Sequence, residues 1–197
     1  MRTRCQPKLP DGYSQKCVVD LQQDGKTAQK VAIASIVIFA VVLAIGFLCA
    51  PIHFLIGKGS EESIFFYFLL RIVVLILGYL SYIPLHELTH AVVMKCLGAN
   101  KIQFSISKQF ACAGSKDSYF SKKAHRCVAL APLLFWTLVL AVIAFVVHPN
   151  WFWVVWLIEA YNVSGSIGDI YVTWFLSKTP DTVLINDTGF TITVYER

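Results

Sequence analysis

Four long apolar stretches divide this chain: Val31 to Ile56, Ile64 to Ile83, Cys127 to Val147 and Trp151 to Leu176. Each is close to the roughly 20 residues that an α-helix needs to cross the hydrocarbon core of a bilayer. The pattern predicts an all-α membrane protein with four transmembrane helices. Between the second and third stretches, apolar and polar residues alternate at period two from Lys101 to Lys108, and Phe110-Ala-Cys-Ala113 follows as a second β-favouring run. A short β-hairpin is expected there. At the end of the chain, Thr182–Ile185 and Phe190–Tyr195 flank the turn cluster Asn186-Asp-Thr-Gly189, which reads as a C-terminal β-hairpin. Residues 1–30 are polar and contain Pro7, Pro10, Gly12 and Gly25, so they read as an irregular N-terminal arm. The expected organisation is an arm over 1–30, a four-helix transmembrane domain over 31–176 and a tail over 177–197.

Composition agrees with a membrane protein. With 56% hydrophobic and 15% charged residues, the chain has too little polar surface to cover a soluble core. The polar segment before the first stretch is too long for the n-region of a cleavable signal, so that stretch reads as a retained anchor. Charge sets the orientation. Arg2, Arg4, Lys8, Lys16, Lys26 and Lys30 precede the first stretch, and Lys95, Lys101, Lys108, Lys116, Lys122, Lys123 and Arg126 lie between the second and third. By the positive-inside rule both segments, and hence both termini and the first hairpin, are expected on the cytoplasmic side of a cell membrane. The net charge of +5 follows from this topology, with lipid headgroups as counterions. No basic stripe interleaved with aromatics points to nucleic acid as a partner. Six cysteines include no C-x-x-C pair, so reduced thiols are expected; the spacing of Cys96, Cys112 and Cys127 matches no familiar zinc site.

Chemistry concentrates in His86-Glu-Leu-Thr-His90, at the end of the second apolar stretch. On a helix, His86 and His90 lie one turn apart on one face, so both imidazoles can reach one zinc at about 2.0–2.1 Å. Glu87 then stands beside the metal as a base for zinc-activated water. Catalytic zinc usually takes three protein ligands, which leaves one to be found. Asp169 is the leading candidate, in Asn162-Val-Ser-Gly-Ser-Ile-Gly-Asp169, where the small residues allow close helix approach. Depth agrees: counted from the outer ends of their stretches, His86 lies about 33 Å in and Asp169 about 27 Å. The bland alternative for Asp169 is a helix-end residue or structural hydrogen-bond acceptor. Arg71 and Glu159 fall at similar depths and read as a buried ion pair, with Glu159 as an alternative third ligand or proton relay. His53 and His125 read as ordinary residues near the membrane boundary.

With these residues in place, the chain resembles the site-two protease class of intramembrane metalloproteases, which pair H-E-x-x-H with an Asn and an Asp on a later membrane helix. The Asn-x-x-Pro and Asp-Gly elements of that class appear here as Asn162-Val-Ser-Gly165 and Asp169-Ile170, with a spacing one residue shorter. It is more similar still to a family of small bacterial membrane proteins described as zincin peptidases, through Leu9-Pro-Asp-Gly-Tyr13, His86–His90, Ala129-Leu-Ala-Pro132 and the Asn162–Asp169 block. The resemblance implies a zinc ion (Zn2+) held by His86, His90 and Asp169, with Glu87 as general base and Asn162 helping to hold the oxyanion. It also implies, as partner and substrate, a membrane protein or membrane-proximal peptide; the 101–112 hairpin then either holds that substrate extended as an added strand or is a packing element that caps the cytoplasmic end. Rival readings are a non-hydrolytic protein whose metal is structural or transported, and an inactive homologue that only binds a partner.

Overall fold

The computed structural model describes residues 5–20, 24–56, 60–106 and 111–197; the expectations placed on Arg2, Arg4, Lys108 and Phe110 lie outside these. Helices α1 (Gly25–Cys49), α2 (His53–Ile56), α3 (Glu61–Cys96) and α4 (Lys122–Val146) come first, and α1, α3 and α4 are long and apolar enough to cross a membrane. Their outer faces expose Ile36, Leu48, Phe65, Leu77, Leu134 and Leu138, a density of apolar surface consistent with a membrane protein. The 36 residues of α3 extend about 54 Å, more than a hydrocarbon core of about 30 Å requires.

The fourth apolar stretch departs from expectation. Instead of one spanning helix, it forms a 3-10 turn at Pro149–Trp151, then α5 (Phe152–Gly165) and α6 (Ile167–Ser177). Gly165, Ser166 and Gly168 weaken helix propensity. At the break, the Ser166 hydroxyl donates to the Asn162 carbonyl at 2.8 Å, competing with the backbone ladder.

The expectation of an all-α protein with an irregular arm is also corrected. Strands β1 (Cys5–Gln6), β2 (Ser14–Val19), β5 (Tyr119–Ser121), β6 (Leu184–Asp187) and β7 (Ile192–Glu196) form one antiparallel sheet in the order β1-β5-β6-β7-β2. Strands β3 (Gln103–Ile106) and β4 (Ala111–Gly114) pair separately. β2 has little apolar periodicity of its own. It is a strand because β7 offers a ladder edge, with Lys16 paired to Glu196 and the Tyr13 hydroxyl on the Thr182 carbonyl. In the tail, Asn186 and Asp187 are strand residues, and the turn falls later, at Gly189 with φ +90.

Two compact units emerge, one of residues 1–31, 84–132 and 168–197, the other of 32–83 and 133–167. Three of the four divisions fall at Pro84 in α3, at Pro132 in α4 and just after the Ser166 break, places where helical hydrogen bonding is interrupted, and the fourth falls within α1 between Val31 and Ala32. In the first unit, α6 lays Val172 and Leu176 on Val183, just before β6, and on Ile185 and Val194 of the sheet. A second cluster packs Met94 of α3 against Phe120 of β5 and Ala124 and Val128 of α4. Lys122 closes the end of α6, donating to the Ser177 carbonyl at 3.1 Å, where a cation complements the helix dipole.

The second unit is centred on Phe152, Trp153 and Trp156 with Ala50 and Ala144. Both indoles are satisfied, Trp153 on the Pro51 carbonyl at 3.2 Å and Trp156 on the Val42 carbonyl at 2.9 Å. Gly46 makes room for this, since a Cβ there would stand 2.5 Å from the Trp156 Nε1.

Candidate metal centre

The histidine pair and the later aspartate meet within the first unit. His86 and His90 lie one turn apart on α3, with ring centroids 5.0 Å apart. Asp169 sits in the first turn of α6, where a carboxylate suits the helix dipole, and the sheet beneath α6 fixes its position. Asp169 Oδ2 is 3.5 Å from His86 Nε2 and 3.7 Å from His90 Nε2. These separations are too long for good hydrogen bonds. They are close to the roughly 3.3–3.4 Å that separates neighbouring ligands on a tetrahedral zinc with bonds of about 2.0–2.1 Å. The donor atoms of all three residues lie within 4.8 Å of one another. Three donors converging at these separations fit a shared cation.

His90 is buried, and its Nδ1 lies 2.9 Å from the Val128 carbonyl. A carbonyl only accepts, so Nδ1 carries the proton, which leaves Nε2, the nitrogen nearer Asp169, as the one that would ligate a metal. Glu87 is outside the converging set. Its Oε2 instead accepts from the Ala113 backbone N–H at 2.8 Å, which fixes the carboxylate against β4.

β4 is itself wedged. The Ser115 N–H donates to the Asp187 carbonyl at 2.7 Å, and the Asp187 side chain accepts from the Gly189 N–H at 2.8 Å and faces His125 Nε2 at 3.0 Å. His125, expected as an ordinary boundary residue, is 1% exposed and belongs to this brace. Sequence reasoning passed over β4 as an anchor for Glu87 because a backbone N–H carries no residue signature. The available signal was Gly114, since a glycine in a strand marks close backbone approach. A Cβ at Gly114 would collide with the Thr188 and Gly189 backbone. Gly114→Ala is therefore expected to displace β4 and cost about 1–3 kcal/mol of stability. Zinc content should be unchanged, and any hydrolysis should fall about 10²-fold through misplacement of Glu87. Thermal unfolding, metal analysis and cleavage, measured side by side, check this.

Burial, then the carboxylates of Glu87 and Asp187, push the Cys112 thiol up to about 11. At pH 7 roughly one thiol in 10⁴ would be ionised. Alkylation of Cys112 is expected to accelerate about tenfold per pH unit between pH 7 and 10, without a plateau. Glu87→Gln removes one of the two repelling charges and should make Cys112 react faster at a given pH. Peptide mass spectrometry after timed alkylation measures both effects.

Asn162 belongs to the other unit and is fully buried there. Its side-chain oxygen accepts from the Tyr82 hydroxyl, and its Nδ2 donates to Thr137 Oγ1 at 3.0 Å and Glu159 Oε2 at 3.1 Å. Both amide hydrogens that an oxyanion role needs are thus engaged. The expected pair of Arg71 with Glu159 is corrected as well: Glu159 bonds to Asn162, and Arg71 donates to the carbonyls of Leu55 and Ile56. Each of them bonds to dipolar groups instead of to the other.

Residues 79–184, more than half of the chain, match the family described as "putative zincin peptidase". The chain belongs to this family. The matched segment contains His86, Glu87, His90, the whole β3–β4 pair and Asp169, so the zinc that the family implies and the converging donors fall in the same region. No curated protein and no solved structure matches the chain.

Proposed function

We propose that the chain is a zinc-dependent, membrane-embedded peptidase of the site-two protease type, acting on membrane or membrane-proximal proteins. The observation that carries this reading is the convergence of His86, His90 and Asp169 at ligand-to-ligand spacing, with a carboxylate beside them that takes no part in the cluster. Zinc bound there supplies a Lewis acid that polarises a peptide carbonyl and acidifies water. The protein's own groups do the rest.

Glu87 takes a proton at Oε1, because Oε2 is held by the Ala113 N–H. The same oxygen then delivers that proton to the departing amine, so the carboxylate returns to its starting state. His90 stays in one tautomer through the Val128 carbonyl. A substrate helix must be unwound before its carbonyls are free, and an extended peptide fits the edge of β3, which among the described residues pairs only with β4. Asn162 takes no catalytic role in this scheme; its amide holds Tyr82, Thr137 and Glu159 together instead. The lysines at 95, 101, 116, 122 and 123 and Arg126 put the site toward the cytoplasmic face of a bacterial cell membrane, with both termini on that side.

Comparative membrane proteomics tests this reading, using cells that produce the wild-type chain or His90→Ala. Protein fragments formed only with the wild-type chain support a peptidase and name its substrate. Identical fragment patterns, with zinc bound to the purified wild-type protein, favour a structural or transported metal. Wild-type protein that takes up no zinc on reconstitution favours an inactive homologue.

A further inference from the structure

Arg71 carries a charge that the protein itself does not neutralise. It lies in α3 about 15 Å from the start of that helix and is only 4% exposed. Its Nη1 donates to the carbonyls of Leu55 at 2.8 Å and Ile56 at 3.2 Å, at the end of α2, while its Nε is buried with no hydrogen-bond partner. All twelve Asp and Glu of the chain are among the described residues, and none pairs with Arg71. Two carbonyl dipoles offset only part of the cost of burying a full positive charge.

The same arginine lines a cavity of about 330 Å³ with Tyr67, His148, Asn150 and Trp151, all within the second unit. This volume is at the small end of ligand sites, which run from about 300 to 1,000 Å³. Its polar lining is rich in donors and contains no carboxylate. His148 Nδ1 accepts from the Asn150 backbone N–H at 3.4 Å, so in the neutral ring the proton sits on Nε2, a further donor. The cavity also borders lipid-facing surface, since Tyr67 and its neighbours Phe65, Phe66 and Leu69 are exposed, and Tyr and Trp favour the level of the headgroups.

We propose that Arg71, His148 and Asn150 form a binding site for a phosphate group, carried either by an anionic phospholipid or by free phosphate. A guanidinium with flanking N–H donors matches phosphate oxygens in charge and geometry. The site makes no use of the histidine pair, Glu87 or Asp169, and stands or falls independently of the peptidase reading.

The test uses the full chain in nanodiscs of phosphatidylcholine, with or without phosphatidylglycerol, and separately with inorganic phosphate added. Native mass spectrometry and the thermal midpoint from tryptophan fluorescence are the readouts. A lipid site retains phosphatidylglycerol and gains stability only in the discs that contain it. A free-phosphate site is stabilised by inorganic phosphate in either disc. Arg71→Gln is expected to weaken whichever binding is seen at least tenfold, and His148→Ala several-fold. Absence of stabilisation by either anion overturns the proposal, as does equal binding by Arg71→Gln. If Arg71→Gln does not fold, unchanged binding by His148→Ala overturns it instead.

Discussion

Glu87→Gln is expected to leave zinc at the wild-type stoichiometry and to reduce peptide hydrolysis by roughly 10²–10⁴-fold, the range that a positioned general base supplies. The substitution is nearly isosteric, and a glutamine oxygen at the Oε2 position still accepts from the Ala113 N–H, so β4 need not move. The three converging donors are untouched. What disappears is the capacity to take a proton. Metal analysis and single-turnover cleavage of a substrate found by proteomics give the two numbers. Cleavage at the wild-type rate would remove Glu87 from the mechanism and leave the metal as a structural or carried ion. Loss of zinc together with cleavage would instead make Glu87 a ligand, which contradicts its anchoring on β4.

The parts of this protein that were legible in its sequence are those where side-chain chemistry or periodicity is strong. His86 and His90 announce themselves because a helix must bring residues four apart onto one face. Asp169 stands out in its block of small residues, with a depth that agrees, and it does stand beside both imidazoles. The long apolar runs of α1, α3 and α4 carry their own length signal. What stayed hidden depends on partners remote in sequence. Ser14–Val19 is a strand only because Ile192–Glu196 lies alongside it. Ser166 ends α5 through a hydroxyl bond that no hydropathy pattern reports. Arg71 and Glu159 sit at similar depths in their stretches, yet depth says nothing of azimuth around a helix, and each found a closer partner.

One sheet accounts for most of the geometry at the candidate centre. Its face seats α6 and thereby Asp169, while the turn that follows β6 braces β4 and thereby Glu87. The ligand and the base are therefore held by one scaffold, although they lie far apart in the chain. Strand β1 adds to the same scaffold through its pairing with β5, next to the start of α4, whose Val128 carbonyl orients His90. A segment that looked like an irregular arm thus belongs to the support of the site.

Asp169→Ala is expected to weaken zinc binding more than 10²-fold, beyond the 10–100-fold that loss of an outer-shell partner produces, and to abolish cleavage with it. Two imidazoles alone leave the cation with too few protein donors, and no other Asp, Glu, Cys or His among the described residues completes the group. The fold should tolerate the change. Asp169 is in the first turn of α6, where loss of a carboxylate costs about 0.3–1 kcal/mol through the helix dipole, and α6 remains seated by Val172 and Leu176. Asp169→Asn keeps one oxygen in place without the charge and is expected to bind zinc with intermediate affinity. Competition against a zinc chelator across the three proteins, with unfolding temperatures of the metal-free forms as a control, orders them. Wild-type affinity in Asp169→Ala would mean that the imidazole pair takes its third donor from elsewhere. The mechanism would then have to be rebuilt around that donor.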